Sequence, residues 1–557
     1  MVMPNPSFIW MFSLLAGTWL IFWVWRPGRT RTTRLQGPSS PNPLWGFMLY
    51  ILTSPDISVD FERWATLYGG AFEIPLAFGT KEIVIMDPKA LTHCYNSERA
   101  VYVRPENERR WIAEMLGCGV LWAEGETHKW QRKLLTPAFS NVAIRRLTHG
   151  FYDSSYKLKR FWDEALKLNA DGEVIEVQEW MNRVALDSIG IAGFSHDFQF
   201  LDGKESSVAN AFHALELSGS AFFDGCIFIL ALFFPLLFKI PTQRTLRFRE
   251  LRRIMNEVAQ RLLENTRRER ERGIAEEHSD TSIIGLLIKA EQTDSALSMT
   301  RDELVAQNVM LLAGYETTAA SLAWALIELA KHPEMQDKLR AEAVRFGGAD
   351  PTWDQLTSTI ELPYLDAFVH EVLRMHPALQ NILRTASKDD VIPLGTPIVG
   401  PSGETISSIL VAKGTTIRQP LQSLNCSDFL WGVDAKEFKP ERWFGDITVP
   451  ANQLQGHRHL LTFHDGPRTC LGKPFALAEM KAVLTVLIRN YTFEFPAGRE
   501  TKIEDHLTFV IRPKVVGEKG TRVPLRLEPD QCFLEPGMTS NPTWPPDTQL
   551  DAVEALM

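Results

Sequence analysis

Six cysteines in 557 residues are too few and too scattered for a disulfide scaffold. Cys94, Cys118, Cys226, Cys426, Cys470 and Cys532 include no C-x-x-C pair, which excludes zinc ribbons, ferredoxin-like clusters and thioredoxin-type redox motifs. A basic surplus is also missing: 59 lysines and arginines stand against 68 aspartates and glutamates, a net charge of −9. No global basic surface is left to grip a phosphate backbone, so nucleic acid is excluded as a partner. The chain also lacks a G-x-G-x-x-G fingerprint between a strand and a helix, and with it a flavin or nicotinamide domain of its own. What remains, 45% hydrophobic and 23% charged, is the composition of an ordinary folded protein with enough length for a large core.

One charge-free run stands out. Residues 8–25, FIWMFSLLAGTWLIFWVW, are eighteen in number, close to the ~20 that cross a bilayer as a helix. Arg26, Arg29, Arg31 and Arg34 follow at once, and the positive-inside rule keeps that cluster cytosolic together with everything after it. A cleaved signal peptide would carry its charge before the apolar run and a small-residue cleavage site after it, and neither is present. Residues 1–36 are therefore read as a transmembrane anchor with a basic flank. Residues 37–46, GPSSPNPLWG, contain three prolines and read as a stiff hinge.

No repeat or Gly/Ser linker divides residues 47–528, so they read as one domain. Apolar positions at helical spacing occupy 144–168, 244–272, 302–331 and 361–375, with short strand-like runs at 82–86 and 415–417. The fold class is mainly α with small β sheets. Residues 226–238, CIFILALFFPLLF, are too short to span a bilayer and suit either an interfacial dip or a buried core helix. The tail, residues 529–557, carries five prolines and is expected to be poorly ordered.

The chemistry gathers near the C-terminus. Phe463-His464-Asp465-Gly466-Pro467-Arg468-Thr469-Cys470-Leu471-Gly472 precedes a helical pattern, KPFALAEMKAVLTVLI. A cysteine just before a helix N-terminus, in a glycine-bearing loop, can have its thiolate stabilised by the dipole and by backbone N–H donors. Such a sulfur ligates a soft metal. Gly466 permits a tight turn, Gly472 lets a flat cofactor approach the backbone, and Arg468 supplies a cation beside the site. A lone cysteine before a helix is usually a small buried hydrophobe, but the spacing F-x-x-G-x-R-x-C-x-G is far more specific than that.

This loop resembles the haem-binding loop of the cytochrome P-450 family. The resemblance implies that Cys470 is the axial thiolate of haem b, iron protoporphyrin IX, a ligand that favours O–O cleavage. Phe463, Gly466, Arg468 and Gly472 become cofactor-binding positions with it. Upstream, Ala313-Gly314-Tyr315-Glu316-Thr317-Thr318 lies in a helical pattern running over 303–331. Its small pair removes bulk where a cofactor and O₂ would lie, and an acid and a hydroxyl follow to handle protons. The motif is similar to the family's oxygen-activating helix, which gives Glu316 and Thr317 the roles of acid and alcohol in a proton relay. Polar residues placed there for packing alone are the plain alternative.

Three further places extend the resemblance. Glu371 and Arg374 are three apart on one helix face, and Pro440-Glu441-Arg442-Trp443 resembles the family's P-E-R-F segment. Together they imply a structural network of Glu371, Arg374 and Arg442, using bidentate guanidinium geometry. In the stretch 125–133 the family often places Trp and Arg four residues apart on the haem propionates; this chain has His128 in place of Trp, with Arg132 intact. Arg384, after His376 and Pro377, matches another propionate-contacting position.

The resemblance covers roughly residues 37–524, in the style of membrane-anchored microsomal members and most like fungal ones that decorate terpenoids and other secondary metabolites. It implies a monooxygenase of the endoplasmic reticulum membrane, single-pass with a cytosolic catalytic domain, inserting one oxygen atom from O₂ into a lipophilic small molecule. Electrons must come from another protein, implied to be NADPH–cytochrome P-450 reductase, with Lys129, Lys133 and Lys473 as candidate contacts. A P-450-like isomerase or dehydratase acting on a peroxide, and a non-catalytic haem sensor, are the competing classes; Glu316-Thr317 argues against the first. Segments 107–120, 222–238, 310–314, 378–383 and 505–510 are expected to line the substrate pocket, and their apolar residues do not name the substrate.

Overall fold

The computed structural model describes residues 31–530 and Gly17, leaving aside 55, 169–171, 195, 204–230, 232–236, 238–239, 272–300, 308, 448, 508–509 and 519. Helices dominate. The principal ones are α1 (Pro88–Ser97), α2 (Gly125–Leu135), α3 (Asn141–Leu168), α4 (Val177–Phe194), α5 (Gln243–Glu271), α6 (Val309–Lys331), α7 (Pro363–Met375) and α8 (Lys473–Asn490). The strands are β1 (Ala71–Pro75), β2 (Lys81–Ile85), β3 (Tyr102–Val103), β4 (Glu173–Glu176), β5 (Asn381–Ala386), β6 (Asp390–Val399), β7 (Thr405–Val411), β8 (Thr416–Pro420), β9 (Tyr491–Glu494), β10 (Ile503–Leu507), β11 (Ile511–Val515) and β12 (Pro524–Pro529). They form a five-stranded sheet in the order β1-β2-β8-β5-β3, a three-stranded sheet β4-β12-β9, and the hairpins β6-β7 and β10-β11. The class is mainly α with small sheets, as the sequence pattern implies.

α6 is apolar on every side, and such a helix belongs at the centre of a core. Every residue in it is buried except Ala313, Gly314, Thr317 and the terminal Lys331. It is long and apolar enough to cross a membrane, yet its burial inside the domain makes it a core helix. The apolar run 8–25, apart from Gly17, lies outside the described residues, as do 226–238 apart from Ala231 and Leu237, and the tail from 531 onward.

The pattern over 302–331 is two helices rather than one. A short helix, Arg301–Ala306, stops before α6. The loop carrying Gly117 to Val120 packs across this point: a Cβ on Gly119 would stand 2.3 Å from the Ala306 carbonyl, and the Val120 amide donates to Gln307 Oε1 at 3.2 Å. The Gln307 amide nitrogen donates in turn to the Glu303 carbonyl at 3.1 Å.

The end of the basic flank and the first residue of the stretch read as a hinge are laid onto the domain. The Thr33 amide donates to the Leu410 carbonyl at 2.9 Å, the Leu410 amide returns a bond to Thr33 Oγ1 at 2.9 Å, and the Glu73 amide donates to the Gln36 carbonyl at 2.9 Å. A Cβ on Gly37 would overlap the Glu73 carbonyl oxygen at 1.8 Å. Docking of this segment thus depends on bare backbone, which no spacing rule in the sequence indicates.

α7 supplies charges that are fully buried. Pro363 opens it with a pre-set φ, and its polar residues point inward rather than to solvent. Arg374 makes a two-pronged contact with Glu371, at 2.9 and 2.8 Å, and neither side chain reaches solvent. The remaining guanidinium donors go to the carbonyls of Asn425 at 2.8 Å, Ala435 at 2.6 Å and Glu437 at 3.2 Å. Glu371 also accepts from the Lys439 amide at 2.9 Å and the Trp443 indole at 3.0 Å. Arg442 stands 3.5 Å from Glu371, while its closer bonds go to Asp434.

From there the bonds continue toward the cysteine loop. Asn425 Nδ2 donates to Thr462 Oγ1 at 2.8 Å, Thr462 Oγ1 donates to the Leu373 carbonyl at 2.6 Å, and Asn425 Oδ1 accepts from the Leu461 amide at 3.2 Å. Removing one partner of such a pair strands the other in low dielectric. Glu371→Ala is expected to destabilise the protein by roughly 3–5 kcal/mol. A thermal midpoint within experimental error of wild type would show that the pair carries no such weight.

Candidate active site

Between α7 and α8 the chain makes a closed loop around Cys470. Gly466 has φ +66°, and a Cβ there would stand 2.8 Å from the Tyr95 carbonyl, so torsion and space both require glycine. Thr469 bonds back to the Gly466 carbonyl through its amide at 3.2 Å and its hydroxyl at 2.7 Å, and the Cys470 amide donates to the Phe463 carbonyl at 2.8 Å. Phe463 is buried, edge-on to His457 with ring centroids 6.0 Å apart. Gly472 caps α8, and Pro474 stands in its first turn.

Cys470 is exposed in a loop whose other residues are half-buried or buried. Its sulfur therefore meets open space although protein surrounds it, and burial pushes the thiol above its ordinary value. The Gly472 and Lys473 amides and the Arg132 guanidinium pull the other way without prevailing. The helix terminus and N–H donors foreseen in the sequence are thus present but insufficient alone. A cation on the sulfur would complete the stabilisation, because a coordinating thiol loses its proton outright.

On α6 the accessible positions before the terminal Lys331 are Ala313, which is exposed, and Gly314 and Thr317, which are half-buried; the fourth residue the sequence singles out there, Glu316, is buried. Gly314 has a second use, since a Cβ there would stand 3.0 Å from Ile189 on α4. Its bareness lets the two helices approach as well as sparing room beside Ala313. The Thr317 hydroxyl donates to the Ala313 carbonyl at 2.7 Å, a back-bond within the helix. Glu316 is buried, with Oε1 2.8 Å from the Arg512 guanidinium on β11. Its Oε2 has no hydrogen-bond partner among the described residues.

The cationic residues converge on one edge of the loop. Arg132 on α2 donates to the Thr469 carbonyl at 2.7 Å. Arg468 donates to the Ala123 carbonyl at 3.0 Å and pairs with Glu124. Arg384 on β5 pairs with Glu98, which also holds His464 at 2.8 Å. Burial pushes the Glu98 carboxyl up, but the His464 bond and the Arg384 charge outweigh it and hold it below its ordinary value. Burial chiefly pulls Arg132 and Arg468 down. His128 is buried close to both arginines, and burial first, then their charges, push its imidazole down to about 3, so it is neutral in ordinary buffers.

The structure thus brings His128, Arg132, Arg468 and Cys470 together, with Arg384 joined through Glu98 and His464. Glu371, Arg374 and Arg442 stand apart, below the loop. Sequence reasoning missed Glu98, Glu124, His464 and Arg512. The first two are ordinary-looking acids, and only Arg512, a lone arginine in the apolar run FVIRPKVV, carried a local signal of a buried charge.

Three comparisons bear on the family. A profile described as cytochrome P450 matches residues 36–517. Cytochrome P450 monooxygenase claP of Ampulloclitocybe clavipes is 52% identical over 526 residues, covering 93% of this chain and 96% of its own. Cytochrome P450 monooxygenase 205 of Postia placenta is 34% identical over 510 residues, covering 89% and 92%. The chain belongs to the cytochrome P450 family. As a P450 it is an oxidoreductase, a haem monooxygenase whose iron is held by a cysteine thiolate.

The residues present fit that cofactor. Three guanidiniums, Arg132, Arg384 and Arg468, face two carboxylates, Glu98 and Glu124, which leaves cationic charge for the anionic edge of a porphyrin. The accessible thiol and the accessible strip of an otherwise buried helix supply a metal ligand and a low wall. The P450 loop also has a geometric requirement of its own. Gly466→Ala must adopt positive φ against the Tyr95 carbonyl and is expected to cost about 2 kcal/mol. An unchanged thermal midpoint would mean the loop relaxes around the methyl group.

Proposed function

We propose that Cys470 is the axial ligand of haem b in this P450, and that the enzyme inserts one oxygen atom of O₂ into a lipophilic small molecule, a terpenoid or another secondary metabolite. The observation that carries the reading is the pairing of an accessible Cys470 with the accessible strip Ala313, Gly314 and Thr317 in a helix that is otherwise buried. Haem bound there supplies the activation of dioxygen. The chain's own residues then have defined tasks. His128, Arg132, Arg384 and Arg468 would hold the propionates, the bare backbone at Gly472 would leave room beside the sulfur, and Gly466 and Phe463 would fix the loop. Glu316 and Thr317 move protons, the carboxylate through its unpartnered oxygen and the hydroxyl from its seat against the Ala313 carbonyl.

The pocket is formed by segments far apart in sequence. Val120 meets Gln307 next to α6, the Ile511 amide donates to the Ala378 carbonyl at 3.0 Å, and Gln380 donates to Asp505 at 3.2 Å. These contacts support the assignment of 107–120, 310–314, 378–383 and 505–510 to its lining.

Electrons come from NADPH through a separate NADPH–cytochrome P-450 reductase. Lys129 and Lys133 are exposed on α2, the helix that carries Arg132 to the cysteine loop, and suit an acidic partner there. Residues 1–36 anchor the enzyme in the endoplasmic reticulum membrane as a single pass with the basic flank and the catalytic domain, 47–528, cytosolic. Exposed Leu44, Leu49, Tyr50 and Leu52 follow the anchor and support a domain resting against the bilayer through residues 37–46 and just beyond. Of the tail, 529–557, Pro529 ends β12 and the Asp530 amide donates to the Asn490 carbonyl at 3.0 Å, so its first two residues belong with the catalytic domain.

Two measurements test the reading. Cys470→Ala should abolish the long-wavelength CO band that thiolate ligation gives, because a methyl group cannot ligate iron; a retained band removes Cys470 as ligand. Thr317→Ala should keep haem and substrate affinity while product per NADPH falls by about 10²-fold, the low end for a positioned proton-transfer group, with the electrons leaving as hydrogen peroxide. A threonine that serves only its helix back-bond would lower stability and leave that ratio unchanged.

A further inference from the structure

Glu316 does not stand alone. Its partner, Arg512, is 1% exposed on β11, and the carboxylate itself is 2% exposed, so the two charges meet at 2.8 Å with almost no water around them. The strand that carries Arg512 belongs to the β10-β11 hairpin, paired in register from Ile503 with Val515 to Leu507 with Ile511. The residue before Arg512 bonds to the Ala378 carbonyl, so the hairpin is tied to a second pocket segment as well.

Two physical facts follow from this placement. An ion in so dry a place depends on an opposite charge beside it to offset its lost hydration. A cation placed on one side of the carboxylate also decides which of its two oxygens is engaged. Arg512 engages Oε1 and leaves Oε2 without a partner among the described residues, a buried acceptor that is unusual unless something occupies it during function.

We propose that Arg512 is a positioning residue for Glu316: it balances the carboxylate's charge at Oε1 and leaves Oε2 to accept a proton relayed from bulk solvent and pass it on, which makes the β10-β11 hairpin part of the proton machinery of α6. This rests on the proton-handling role of Glu316 given above. The carboxylate is regenerated at each passage, so the pair begins and ends a cycle with no net charge.

The test uses the holoenzyme with reductase and compares wild type, Glu316→Gln, Arg512→Met, Arg512→Lys and the double variant Glu316→Gln/Arg512→Met. Arg512→Met is expected to keep haem content and to lower product per NADPH about 10-fold, less than loss of a proton-transfer group itself. Arg512→Lys should recover most of that ratio. Infrared difference spectra at pH 7 supply a readout independent of turnover: Arg512→Met should gain a protonated-carboxyl band that is absent from wild type and from the double variant.

The outcomes separate the two levels. If Glu316→Gln leaves coupling unchanged, the proton-handling reading of Glu316 fails and this inference falls with it. If Glu316→Gln uncouples but Arg512→Met neither uncouples nor shows the band, only the role of Arg512 is overturned. Loss of haem from Arg512→Met and Arg512→Lys alike would make the pair a structural one and overturn it too, as would equal uncoupling by Arg512→Met with and without Glu316→Gln.

Discussion

The Glu371–Arg374 pair has no contact with water, so its energy depends wholly on how well protein groups replace solvent around it. They do so with the carbonyls of Asn425 and Ala435, the Lys439 amide and the Trp443 indole. None of these partners can move without leaving a buried charge or dipole unmet. Asn425 then passes the constraint to Leu461 and Thr462, immediately before Phe463, whose carbonyl receives the Cys470 amide. The position of the sulfur is referenced, bond by bond, to an ion pair that performs no chemistry. A loop of glycines and prolines would otherwise be free to wander, and a metal ligand tolerates little of that.

Charge is used differently on the other side of the loop. Around the loop Arg384 and Arg468 pair with Glu98 and Glu124 while Arg132 bonds the Thr469 carbonyl, so three guanidiniums meet two carboxylates and cationic charge is left over for a guest. Glu316 and Arg512 show a third arrangement, balanced in charge but with one oxygen left over. The three places match three tasks. A closed network holds geometry, while under the proposed function a cation excess would hold an anionic ligand and a pair with a spare acceptor would move protons. Each would fail at the others' work, because a fully satisfied network has nothing to offer a ligand and an unbalanced one does not stay rigid.

How much of this was legible in the sequence depends on distance along the chain. The cysteine loop is a ten-residue pattern whose torsional needs fall on its own glycines, and α3, α6 and α7 announce themselves by apolar spacing within one element. Glu371 and Arg374 share one helix face, so their pairing could be read as well. Glu98 and Arg384 lie 286 residues apart, and neither has a neighbour that points to the other. The break before α6 escaped for the same reason: it is imposed by the backbone at Gly119, which arrives from another part of the chain. Gly314 was legible as a small residue but not for its contact with Ile189. Period-based reading sees what one element does to itself and is blind to what a second element demands of it.

His128 shows how a departure from a family pattern can still obey the chemistry of the place. In the proposed haem site the position calls for a neutral N–H donor toward a carboxylate, the service an indole renders. An imidazole renders it too, provided it does not hold a second proton. Burial and the charges of Arg468 and Arg132 push His128 down to about 3, so it stays neutral and keeps one N–H to give. The substitution is thus licensed by the same cation excess that would hold the propionates. Were those arginines replaced by neutral residues, the ring would be freer to charge, and the equivalence between imidazole and indole would weaken with it. The exchange of Trp for His at this point therefore reads as one part of an electrostatic arrangement and not as an isolated change in the side chain.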